Sequence, residues 1–120
     1  MTDRTVFISN LSKAHNYEPA KSYGALRAIT SGNYPIFKTT RLREEIVTAL
    51  VCSQPDDYLL LSGSSVIAGL AMATWLIMHG KVNLLLYDRT ERAYVLRHFQ
   101  REDTQKEIEA AHDRLEEESV

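Results

Sequence analysis

The chain has 120 residues, 44% of them hydrophobic and 25% charged, with three prolines and a formal net charge of −2. Those values fit one globular domain that buries a core without disulfides or a structural metal, and they exclude a collagenous, low-complexity or disordered chain. The charge is uneven. Residues 1–100 hold 11 Lys+Arg against 8 Asp+Glu and residues 101–120 hold 3 against 8, so a body too weakly basic for duplex nucleic acid precedes an acidic tail.

The opening MTDRTVFISN has no basic region followed by a long apolar run, so no export signal is expected. TVFISN predicts a strand ending at Asn10, and ALRAITSGN a second strand ending in the turn residues Ser31, Gly32 and Asn33. The polar stretch between them leaves room for a turn or two of helix around residues 19–23, and it is short for a parallel crossover. TTRLREEIVTALVCS starts with Thr39 or Thr40 as a cap and brings Leu42, Ile46, Ala49 and Leu50 to one helical face. Cys52, the single cysteine, is expected on the inward side of that helix, as a small core residue in a reducing, cytoplasmic compartment. Pro55 then ends the helix.

YLLLS shows no alternation and reads as a strand covered on both faces. The helix from Ser64 or Ser65 to His79 is apolar almost all round and is stopped by Gly80. Its most apolar run, residues 66–78, is shorter than the about 20 residues needed to cross a bilayer. A second unalternating strand, VNLLLY, completes a right-handed crossover unit. DRTER predicts a tight reversal and AYVLRHF a half-exposed antiparallel edge strand. From Glu102 a charged helix carries Ile108, Ala111 and Leu115 in a narrow seam, too short to hold alone, so it must dock on the body or on another subunit, or else fray.

The expected fold is therefore a single Rossmann-like α/β domain over residues 1–100, with a mainly parallel sheet and an antiparallel C-terminal edge strand. An acidic C-terminal helix follows over residues 101–120. Ligands of such sheets bind beyond the carboxyl ends of the strands. The polar residues expected there are Asn10 with Ser12; Ser31, Gly32 and Asn33; Ser62, Gly63, Ser64 and Ser65; and Asp88 with Arg89. Residues 62–65 carry the strongest signal. A helix N-terminus exposes free amides and about half a positive charge, which suits a phosphate, and Gly63 permits close backbone approach. A serine cap and a tight turn explain the same residues structurally, and Asp88 and Arg89 equally fit a plain turn.

Catalysis has less support. His15, His79, His98 and His112 lack metal-ligand spacing, no cofactor is expected, and LSGSSV does not match a nucleophile elbow. The central helix suggests a homodimer through Ala68, Gly69, Ala71 and Ala73 with Met72, Trp75 and Met78, or else cover by the tail helix.

The runs VFISNLSK, TSGNYPIF and DYLLLSGSSVIAGLAMATWLIMHGKVNLLLYDR together resemble small uncharacterised proteins that recur in tailed-bacteriophage genomes, over roughly residues 6–99. That resemblance implies a phage or prophage origin, for which the expected cytoplasmic setting is that of the host cell. A strand ending in Asn and then Ser, with a later Gly-containing turn before an apolar helix closed by Gly, is similar to the layout of viral anti-CRISPR ring nucleases, which act on cyclic oligoadenylate. In that family a histidine follows the turn glycine, and here Ser64 stands in its place. The expected function is binding of a phosphorylated small molecule, a nucleotide or nucleotide-derived signal, in the service of host takeover or anti-defence. The alternative is an interaction protein that blocks a host enzyme through the tail and the edge strand.

Overall fold

The computed structural model describes residues 3–119; Met1, Thr2 and Val120, which the two sequence segments include, lie outside the described residues. The elements in chain order are β1 (Thr5–Leu11), a 3-10 turn (Glu18–Ser22), β2 (Ala25–Ser31), α1 (Thr39–Leu50), β3 (Tyr58–Leu60), α2 (Ser65–His79), β4 (Lys81–Asp88), β5 (Ala93–Gln100) and α3 (Arg101–Glu118). The five strands form one sheet in the order β2-β1-β3-β4-β5. All neighbouring pairs are parallel except β4 with β5, which is antiparallel from Lys81 against Gln100 to Asp88 against Ala93.

Alternation along β1 sends Phe7 to one face and Val6 and Ile8 to the other, and each face closes its own core. On the first face α1 contributes Leu42, Ile46 and Leu50, and α2 contributes Ile67, Ala71 and Trp75, over Phe7, Leu59 and Val82. Trp75 is fully buried with its ring edge-on to Phe7 at 5.7 Å. The second face is covered more thinly, by Tyr17 and Ala20 around the 3-10 turn, packed on Val6, Ile8, Leu60, Leu85 and Tyr94. Leu59 and Leu60 go to opposite cores and are 0% and 1% exposed, so the unalternating run in β3 is covered on both sides. Each such side chain contributes about 1.5–3 kcal/mol through burial.

Three readings of the sequence are corrected and a fourth, the placing of the tail helix, is narrowed. The link from β1 to β2 does make a parallel crossover, because one five-residue 3-10 turn, with Ala20 fully buried, is enough to carry the chain across the sheet. Cys52 is exposed and not in the core: α1 ends at Leu50, so the periodicity that pointed Cys52 inward has stopped two residues before it. Its thiol instead accepts from Arg27 Nη1 at 3.0 Å. In β4, Leu86 and Tyr87 are 44% and 50% exposed, because β3 pairs only with residues 83–85 and the end of β4 runs on with β5 alone. The tail helix does not dock on the body of its own chain. α3 starts one residue before Glu102, has no buried residue and leaves α2 uncovered, with Ile77 79% exposed.

The tail's first amide is nevertheless fixed, since Arg101 N donates to the Gly80 carbonyl at 2.9 Å. Gly80 itself closes α2 in the left-handed region at φ 73°, with its N–H donated to Leu76, as the sequence suggested. No helix among the described residues is long and apolar enough to cross a membrane.

Candidate functional site at the carboxyl rim

The 3-10 turn between β1 and β2 packs on one face of the sheet, and α1 and α2 pack on the other. The chain therefore turns in opposite directions from β1 and from β3, which are neighbours, and their carboxyl ends flank the crevice where open α/β sheets take ligands.

Side chains tie this rim together. The Ser9 hydroxyl, fully buried, donates to the Ser62 carbonyl at 2.7 Å and accepts from Ser62 N at 2.8 Å, fastening β1 to the end of β3. Asn10 points the other way along the strand and fastens β2: its Nδ2 donates to the Gly32 carbonyl at 3.2 Å. The buried Thr30 hydroxyl sits between the Ser9 carbonyl at 2.8 Å and Asn10 Oδ1 at 3.0 Å. Tyr17 reaches in from the following loop. Its hydroxyl accepts from Ser12 N at 3.0 Å and lies 2.7 Å from Ser62 Oγ.

Two clefts open along this rim and share Ala14, Tyr17 and Gly63. One, of about 730 Å³, runs from Asn10, Ser12 and Lys13 to Ser31, Gly32 and Asn33. The other, of about 530 Å³, is floored by Leu60, Leu61, Ser62 and Gly63 and holds Arg89. Two aromatic pairs line it: Tyr87 with Tyr94, ring centres 5.2 Å apart, and His15 with Tyr17, 6.1 Å apart. Burial, reinforced by the neighbouring Tyr17 and Tyr87 hydroxyls, pushes the Tyr94 pKa above its ordinary value, so the phenol keeps its proton at neutral pH. Among the described residues no carboxylate lines either cleft, and each cleft contains one Lys or Arg.

The candidates from the sequence are thus divided. Asn10, Ser12, Ser31, Gly32 and Asn33 line one cleft, Ser62 and Arg89 the other, and Gly63 both. Ser65 faces away, toward Thr39, Thr40 and Arg43 at the start of α1. Ser64 stands at the N-cap of α2 but makes no side-chain cap bond, and lines neither rim cleft. Asp88 is engaged in the β4–β5 turn, where its Oδ1 accepts from Thr90 N at 2.9 Å and Glu91 N at 3.3 Å.

Sequence reasoning missed Ser9, Tyr17, Tyr87 and Tyr94. Ser9 was hidden inside an apolar strand, and the tyrosines come from three separate segments that only the strand order brings together. Among the described residues no group of three or more His, Cys, Asp or Glu side chains is arranged to hold a metal ion.

Residues 4–101 match the family described as Phage Pam3 gp32-like protein, which covers the whole sheet and stops at the first residue of α3. The chain belongs to that family of small phage proteins. No curated protein and no solved structure matches it.

Proposed function

We propose that this phage protein binds a phosphorylated small molecule, a nucleotide or nucleotide-derived signal, at the carboxyl rim of a doubly wound, Rossmann-like sheet. The observation that carries the reading is the smaller cleft, which combines two aromatic pairs, Arg89 and the Ser62–Gly63 turn with no carboxylate in its lining. Aromatic rings stack on a base, a guanidinium holds a phosphate, and an absence of carboxylates avoids repelling it. The adjoining cleft, with Lys13 and the Gly32 turn, lies in reach of a second phosphate or sugar.

Binding rather than cleavage is proposed. Ser64 stands where the ring nucleases have histidine and lies outside both rim clefts. The protein would then act in the host cytoplasm by withdrawing a signal on which host defence depends.

The test is native mass spectrometry of the purified protein with a panel of mono-, di- and cyclic nucleotides, followed by calorimetric titration. The expected result is one nucleotide per chain, bound about tenfold more weakly by Arg89→Ala; a protein that ignores the whole panel would overturn the proposal. The second reading, contact with a host enzyme through α3 and the edge strand β5, draws on the absence of any buried residue in α3. Deleting residues 102–120 separates the two, because nucleotide binding survives the deletion under the first reading and function is lost under the second.

A further inference from the structure

An 18-residue helix in water needs packing to persist, and among the described residues α3 buries no side chain against its own chain. Ile108 and Leu115 are 49% and 61% exposed, and the molecule measures 54 Å along its longest axis against 35 and 30 Å across.

A second surface lacks cover in the same molecule. α1 and α2 both cross between parallel strands, so they run side by side in one direction. Their amino ends meet around Thr40, Arg43, Val66, Gly69 and Leu70, and their carboxyl ends meet where Ser53 Oγ lies 2.8 Å from His79 Nε2. Along the groove between them Val47 is exposed on α1, and Val66, Ala73 and Ile77 on α2. α2 carries no Asp, Glu, Lys or Arg, and among the described residues no ion pair includes Arg43 at the groove's amino end.

We propose that this groove receives α3 of a second copy, so that two chains exchange tails reciprocally in a two-fold dimer. Length favours the match: α3 extends about 27 Å and α2 about 22 Å at 1.5 Å per residue. Chemistry favours it too. Ile108, Ala111 and Leu115 form one seam, with small Gly69 and Ala73 opposite to admit it, and the acidic flanks of α3 meet Arg43 and a net-positive body. The chain's own tail cannot serve, because β5 passes into α3 without a loop, with Gln100 still extended at φ −117°, ψ 129°. Pairing α3 with α3 would set two helices of 3 Lys+Arg against 8 Asp+Glu side by side and repel.

Sedimentation equilibrium of the full chain over a range of concentrations tests this, with Leu115→Asp as the tail variant and Ile77→Asp as the groove variant. Both positions are exposed in the single chain, so circular dichroism should show an unchanged fold; Val47→Asp replaces the groove variant if Ile77→Asp does not fold. The wild type is expected to dimerise and each variant to weaken the dimer at least about tenfold. An equimolar mixture of the two variants restores one intact contact and should recover a heterodimer. A monomeric wild type overturns the proposal, and so does a groove variant that dimerises like wild type, which would place the contact between the two tails.

Discussion

A side chain on Gly63 would collide with Asn10: a Cβ there would lie 2.6 Å from Asn10 Nδ2 and 2.8 Å from its Cβ. Gly63 also has φ +78°, a backbone region open to glycine at little cost. The glycine in the turn before α2 therefore serves to press that turn onto the end of β1. The close approach it permits is to Asn10, at a turn that also lines both rim clefts.

Gly63→Ala should destabilise the fold by about 1–3 kcal/mol, the usual range for forcing a non-glycine residue into such a conformation. Part of that cost is the collision. In an Asn10→Gly background, which removes the Asn10 Cβ as well as the amide, the same substitution should cost less, and urea denaturation of the four proteins in a double-mutant cycle measures the difference.

Ser9→Ala removes both bonds to Ser62 and leaves the Ser62 amide without its partner in a part-buried place. A loss of about 1–3 kcal/mol is expected, read as a lower denaturant midpoint at unchanged slope.

Arg89 is exposed, so Arg89→Ala should leave the thermal midpoint unchanged, whereas Tyr87→Ala should lower it slightly by removing the edge contact with Tyr94. Under the proposed function each weakens nucleotide binding about tenfold, a typical loss for an ionic or stacking contact. Titration at rising salt should weaken the wild type and leave Arg89→Ala the less salt-sensitive of the two.

His79 gives a pH dependence with a definite sign. Burial against Trp75, whose ring centre is 5.2 Å away, pushes its pKa below the ordinary 6.5, with Lys81 acting the same way and Asp57 opposing. Between the lowered folded value and 6.5 the unfolded chain binds more protons. Stability from this group is thus complete above 6.5 and falls as the pH drops through that window. Thermal unfolding from pH 7.5 downward should show that decline, and His79→Gln should flatten it over the same interval.

Much of the fold was legible because its signals are local. Leu42, Ile46 and Leu50 recur at helical spacing, Gly80 closes α2, and the leucine run of β3 reads as a strand covered on both faces. The failures lie where a local pattern meets a tertiary boundary. Cys52 lost its inward direction when α1 ended at Leu50, and Leu86 and Tyr87 lost their cover when β3 ended at Leu60. The rim was legible only as a set of turns. Asn10, Gly32 and Gly63 stand out in the sequence, but that they touch one another follows from placing β1 between β2 and β3. The tyrosines of the smaller cleft carried no signal of their own, since an isolated aromatic residue in a polar loop or at a strand end is ordinary.

The ties among Ser9, Asn10, Thr30 and Ser62 have a kinetic corollary. Adjacent residues of one strand clamp the strands on either side, so the floor of both clefts becomes ordered when the sheet itself folds. Under the proposed function, a ligand arriving there meets a floor already set by the strands, with the following loop tied to it through the Tyr17 hydroxyl. Association should then be a single bimolecular step, its observed rate rising in a straight line with ligand concentration and never reaching the plateau that a slow closure imposes.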